Sequence, residues 1–458
     1  MSIAPRQLIF YITLLLGAFL AQTSLASASS STNDIAVRQL VEKNLPSLIT
    51  YYTTLHAAPE LSHQEAHTAE GIAQELRFAG FEVIEHIGKY ESSKLKPSGV
   101  AGVLKNGPGP TVLIRADMDA LPIEEKTGLP YASTRRMTAD SGVEVPVMHA
   151  CGHDIHVTSL VGVARVMSKL KNNWHGTLVL IGQPAEETMD GALSLLHDNL
   201  YGRIPKPDFA LALHDSADVP AGSISLTPGY TLAMSTQMDV TVRGVSGHSS
   251  RPEAAKDPIV LAANIIMQLQ TIVSREISPF DQAVLTVGTI HGGIKRNIIP
   301  DEVKLEINLR AYKEDVRQHL IEAVVRISRA AALGAGMPED RLPVVRVIEN
   351  EFAPALFNDE ALYIRLKPAF ERALGKAHVA KQDPAMAGED FGHLGLERSI
   401  PVFMFWLGAA TPEALGKAKA SGIANPGLHS SGFAPDPEPT LRTGVIAMST
   451  AALELLAH

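Results

Sequence analysis

The 458-residue chain has one cysteine, Cys151, and only two tryptophans, and aromatic residues make up 5% of it. A single thiol excludes any disulfide framework within the chain. A basic excess is also missing: 40 Lys and Arg stand against 49 Asp and Glu, for a formal net charge of −9. With no Lys/Arg run interleaved with aromatics, the electrostatic footprint of a nucleic-acid binder is lacking. Long low-complexity tracts are absent too, and 45% apolar with 19% charged residues describes a globular chain rather than a disordered one. The apolar run "LIFYITLLLGAFLA" falls short of the roughly 20 residues that span a bilayer. Preceded by Arg6 and followed by Ala26-Ser27-Ala28, it reads as a secretory signal peptide over residues 1–28, with the mature chain beginning near Ser29. The expected location is periplasmic or secreted, with no membrane anchor after cleavage. In that oxidising setting Cys151 is inert and buried, paired between molecules, or held by something else.

At this length two domains are expected rather than one. "NDIAVRQLVEKNLPSLITYYTTLH" has helical periodicity, and Ser62-His63-Gln64-Glu65 has the form of a capping box opening a second helix that Gly80 stops. The runs "FEVIEHI", "GVAGVL", "TVLIRADMD", "TLVLIGQP" and "DFALALHD" are β-rich, the last three nearly continuous in apolar residues as in strands buried on both faces. Helical stretches separate the later ones, notably about 153 to 172. The alternation implies an α/β fold, a mixed, largely parallel sheet flanked by helices. From about 226 the pattern becomes β-α-β-β-α, which fits a small α+β domain inserted over 227–344 into a main domain of 29–226 and 345–458.

Polar clusters sit where strands should end, the usual location of sites in open α/β sheets. They are "RADMDALP", "MHACGHD", "QPAEE", "LHD", "AGEDFG" and "LHSSGF". Together they offer thiolate, imidazole and carboxylate, the donor set that suits zinc and neighbouring divalent ions. The adjacent Glu186 and Glu187 suit hydrolysis, because one can hold a metal while the other takes a proton from an attacking water.

These motifs, with "LHAAPELSHQEAHTAE", "GHSSRP" and "RNIIPDEV" and in the same order, resemble the M20 metallopeptidase and amidohydrolase family. The branch is that of hippurate hydrolases and auxin-conjugate (N-acyl amino acid) amidohydrolases, and the likeness runs from about residue 45 to the C-terminus. The resemblance implies a dinuclear metal centre, zinc or manganese, with Cys151, His153, Glu187, His214 and His429 as ligands and Glu186 as general base. It implies that the insert is a lid or dimerisation domain supporting a homodimer. In that domain His248 stabilises the oxyanion, often in a partner's site, and Asn297 and Arg310 grip the substrate. Asp117 and Asp119 are expected to orient the ligands. Glu389 has no assigned role, and His149 and His156, which flank the motif, are expected to be packed or hydrogen-bonded histidines rather than ligands. The chain departs from the branch at Ile155 and at "HDSADVPAG", changes that bear on substrate preference rather than on the metals.

The implied activity is hydrolysis of the amide bond of N-acyl amino acids or related small molecules, with a metallo-carboxypeptidase or dipeptidase as the alternative. Two other classes compete. A cysteine hydrolase would use Cys151 with His153 or His149 as base, and a periplasmic solute-binding protein would share export and a cleft but gives Glu186 no task.

Overall fold

A computed structural model describes residues 32–457. The expected signal segment 1–28, with its Ala26-Ser27-Ala28 junction, lies outside the described residues. Among the described residues no helix is long and apolar enough to cross a membrane.

The main unit is built on an eight-stranded sheet. Its order is Glu82–Ile87, Gly99–Asn106, Gly176–Gln183, Thr111–Asp117, Phe209–Pro220, Val402–Ala410, Ile224–Leu226 and Val379–Lys381. The four strands from Gly176–Gln183 to Val402–Ala410 run parallel, while the two at the Glu82 edge and Ile224–Leu226 pair antiparallel to their inner neighbours. This is the mixed, largely parallel α/β sheet expected from the strand and helix alternation.

Continuous apolar runs are needed because both faces are covered. In the strand Gly176–Gln183, Leu178 and Leu180 point into a core shared with the helices 32–57, His153–Lys169 and Pro437–Leu456. Val179 and Ile181 point the other way, against Ala192, Leu195, Phe391 and Leu394. The helix His153–Lys169 is buried along nearly its whole length, so the motif at its start is fixed from all sides.

The insert is an antiparallel sheet ordered Ala283–Gly292, Glu302–Ala311, Met234–Arg243 and Val344–Ala353, with helices Pro258–Thr271 and Glu314–Gly334 packed on it. Val303, Leu305, Ile307 and Leu309 alternate inward, each such burial being worth about 1.5–3 kcal/mol. The boundary expected at 344 falls just before the last strand of this sheet. Val344–Ala353 pairs with Met234–Arg243, Val347 opposite Met238, so the insert is a β-α-β-β-α-β unit that runs on to Ala353. Gly229–Leu232 and Leu356–Asn358, the two chain crossings between the units, pair with each other as a short ribbon.

Candidate metal and active site

The parallel strands deliver their polar ends to one place, as the sheet geometry dictates. Asp117 ends its strand with Asp119 two residues on, Glu186 and Glu187 follow Gly176–Gln183, and His214 lies within Phe209–Pro220 beside Trp406 of the neighbouring strand. Cys151 and His153 straddle Gly152, the residue before the helix His153–Lys169. Gly152 has φ +74°, and a Cβ there would lie 2.0 Å from Asp215 Oδ2. Only glycine allows both the turn and the approach of that carboxylate.

Cys151 belongs to two groups of donor atoms, one with His153 and His214 and one with Glu187 and His429; within each group the atoms lie no more than 4.8 Å apart. Hydrogen bonds fix which imidazole nitrogen faces inward. His153 Nδ1–H donates to the Asp119 carbonyl at 2.8 Å, and His214 Nδ1–H donates to the Asp215 carbonyl at 2.9 Å. Each Nε2 lone pair is then turned into the site, and His214 Nε2 lies 3.6 Å from Cys151 Sγ. His429 holds a left-handed backbone (φ +63°), ties its N–H to the Ala150 carbonyl, and sets Nε2 3.4 Å from Glu187 Oε2. Such strain in a non-glycine residue costs on the order of 1–3 kcal/mol and persists only where the surroundings enforce it.

The residues present fit divalent ions on two counts. His153 Nε2 and Glu187 Oε1 are buried atoms with no hydrogen-bond partner, a costly state for polar groups unless something else binds them. The charge is also lopsided. Burial, and then the carboxylates of Glu389, Glu187 and Asp390, push the Glu186 pKa well above its ordinary value. Burial, then Glu187, likewise raises the Cys151 thiol, which therefore lacks the depressed pKa of a free nucleophile.

Residues 113–421 match peptidase family M20/M25/M40. The chain belongs to this family. Among its relatives, hippurate hydrolase of Campylobacter jejuni is 37% identical over 343 residues, 74% of this chain and 82% of that protein. N-acetyl-L-cysteine deacetylase of Bacillus subtilis is 35% identical over 343 residues, 74% of this chain and 75% of that protein. A dinuclear metal-binding M20 peptidase structure from Bacillus subtilis superposes with a TM-score of 0.70 at 27% identity, covering 91% of this chain and 99% of that one. Membership in M20 leaves no room for the solute-binding and cysteine-hydrolase alternatives.

Seven of the expected residues thus share one cluster: Cys151, His153, Glu186, Glu187, His214, Asp117 and Asp119, with His429 at its rim. The lid residues do not join it. His248 is exposed and hydrogen-bonded to Ser250, and Asn297 is exposed with its carbonyl accepting from Ser249 N–H. Arg310 is half-buried and donates to the Met386 carbonyl at 2.9 Å, beside the loop that carries Glu389. His156 is a bridge: its Nδ1–H donates to Asp117, and its Nε2 accepts from Asp215 N–H at 3.0 Å. His149 is buried with neither ring nitrogen hydrogen-bonded, and burial lowers its pKa to about 4.

Sequence reasoning passed over the groups beneath the site. Arg115 is fully buried and donates to Asp117, Glu389 and Asp390 at 2.8, 2.8 and 3.0 Å, which gives Glu389 its place. An arginine in the otherwise apolar run "TVLIRAD" was the available signal. The capping box at Ser62–Glu65 does not form. Ser62 Oγ–H donates to Asp119 Oδ2 at 2.6 Å, the helix begins at Ala66, and its first-turn N–H groups at His67 and Thr68 are capped by the Glu60 carboxylate, at 3.4 and 2.8 Å, instead of by Ser62. Asp119 and its neighbours outcompete the local pattern.

Proposed function

We propose that this M20 hydrolase is an exported amidohydrolase that cleaves the amide bond of small N-acyl amino acids. The observation that carries the proposal is the sharing of Cys151 between two donor groups, beside a glutamate pair that both face His153, with Glu187 alone also facing His429. The named activities of the C. jejuni and B. subtilis relatives, hydrolysis of hippurate and deacetylation of N-acetyl-L-cysteine, support the substrate class.

Two divalent ions, zinc or manganese, held by Cys151, His153, Glu187, His214 and His429, would acidify an attacking water and polarise the scissile carbonyl. Asp119 and Asp117 steady the imidazoles: the first accepts from His153 through its carbonyl, the second from His156. Glu186 takes the proton from the attacking water and returns it to the departing amine. Arg310 and Asn297 grip the substrate's carboxylate or amide, and His248 donates to the oxyanion.

His248 does this across a homodimer. It is exposed on the lid, and the lid also exposes Val260 (66%) and Met267 (70%) on the helix Pro258–Thr271 and Ile294 (91%) just after its edge strand Ala283–Gly292. A second copy would cover these side chains and pair the free strand edge. Export rests on the Arg6-to-Ala28 pattern, and N-terminal sequencing of secreted protein, expected to start near Ser29, tests it. The activity is tested by assaying metal-reconstituted protein on N-acetyl, N-benzoyl and dipeptide substrates. Turnover of dipeptides alone would move the assignment to a dipeptidase.

A further inference from the structure

The segment Ser62–Glu65 touches the glutamate loop at several points. Glu65 is fully buried. Its Oε1 accepts from Ala185 N–H at 2.8 Å and from His63 N–H at 3.0 Å, and its Oε2 accepts from Ser98 Oγ–H at 2.9 Å. Both backbone donors to that one oxygen are left-handed, His63 at φ +66° and Ala185 at φ +54°. Non-glycine residues in this region are disfavoured by about 1–2 kcal/mol each, so something must hold them there. The rest of the segment grips the same loop. His63 Nε2 lies 3.0 Å from Asp190 Oδ1, and Ser62 donates to the Asp119 oxygen that also accepts from Glu187 N–H at 3.0 Å. Ala185 immediately precedes Glu186, and its carbonyl closes the loop by accepting from Gly191 N–H at 3.0 Å.

We propose that Glu65 is a positioning residue for the hydrolytic step: it fixes the backbone at Ala185 and thereby sets where the Glu186 carboxylate stands. The proposal rests on Glu186 being the base of an amidohydrolase. A base works only within about 2.6–3.2 Å of the proton it takes, and a misplacement of about 1 Å can cost on the order of a hundredfold in rate. Glu65 acts through the reach and acceptor capacity of its oxygens, not through charge. Burial and nearby Asp119 push its pKa up to about 8, so much of the population is neutral at neutral pH. A glutamine fits the same bonds: its oxygen accepts from Ala185 and His63, and its amide donates to the Ser98 hydroxyl. An aspartate keeps the charge but is shorter by one carbon–carbon bond, about 1.5 Å, and cannot span to Ala185.

The test compares Glu65→Gln, Glu65→Asp and Glu65→Ala in the full chain at saturating metal. It reads kcat and KM on an N-acyl amino acid, together with hydrogen exchange of the backbone amides of residues 185–189. Glu65→Gln is expected to match wild type in all three. Glu65→Asp and Glu65→Ala are expected to lose about 10- to 100-fold in kcat per metal-loaded site with KM little changed, and to exchange those amides faster. Should Glu65→Ala fail to fold, the Gln and Asp variants decide alone. Wild-type behaviour of Glu65→Asp would make charge rather than reach the cause, and an equal loss in Glu65→Gln would show that reach does not suffice; either overturns the proposal. If wild type cleaves no amide, the amidohydrolase assignment fails by itself, and the exchange data still decide whether Glu65 braces the loop.

Discussion

Cys151 Sγ and His214 Nε2 stand 3.6 Å apart, and the far nitrogen of His214 is committed to the Asp215 carbonyl. That pair leaves a thiol and an imidazole lone pair facing one another, with Glu187 and His429 also within 4.8 Å of the sulfur. Cys151→Ser keeps the shape but replaces an ionisable thiol with a hydroxyl that stays protonated. It should lower metal content by elemental analysis and reduce the rise in Tm on adding zinc. Wild type with metal at about a thousandfold above Kd should gain about 4 kcal/mol, the variant distinctly less. Full metal occupancy in the variant would remove Cys151 from the ligand set.

Glu186 and Glu187 are neighbours with different surroundings. Glu187 Oε2 is 3.4 Å from His429 Nε2, whereas Glu186 is buried among carboxylates. Glu186→Gln should keep its metals and lose about a hundredfold or more in kcat, since an amide can neither take nor return the proton. Glu187→Gln should lose metal instead. Identical metal content in the two variants, or wild-type turnover in Glu186→Gln, would mean that base and ligand are misassigned.

What could be read from sequence followed the range of the interactions. Runs such as "TLVLIG" and "VFMFWLG" announce buried strands by composition, and ligand-type residues at their ends mark the site. Interactions across long chain separations were not readable. Ser62 and Glu65 have the local form of a cap, but Asp119 and Ala185, far along the chain, take their hydrogen bonds instead. Val344–Ala353 mixes Arg346, Glu349 and Glu351 with apolar residues and is half-exposed along most of its length. Its partner strand, not its own composition, makes it part of the insert. His248 is exposed on the insert and bonded to Ser250, outside the metal-ligand cluster, so its motif alone did not announce its place.

Gly152→Ala tests the close packing behind the ligands. The added methyl would meet Asp215 Oδ2 at 2.0 Å and would sit on a backbone at φ +74°, so both the turn and the Asp215 carboxylate must shift. Moving Asp215 disturbs the carbonyl that orients His214 and the N–H that holds His156. The expected result is a loss of several kcal/mol in stability and weaker metal binding, read by urea denaturation and elemental analysis. Unchanged metal affinity would show that the Gly152–Asp215 contact does not support the site.

Stability should fall with alkaline pH through His56. Burial disfavours its charge, but Asp154 at 2.7 Å and Glu125 at 3.1 Å outweigh burial and raise its pKa from 6.5 to about 10. The folded chain therefore keeps a proton between those values that the unfolded chain has already released. The stabilisation is full below 6.5 and is lost as pH rises through about 10, at no more than about 1.4 kcal/mol per pH unit. His56→Gln removes the titrating group, so the variant should be much less stable than wild type near pH 6 and the two should converge towards pH 10. Urea midpoints across that range, at fixed metal concentration, measure the gap. A gap that stayed constant with pH would show that His56 does not hold its proton in the folded chain as its carboxylate neighbours require.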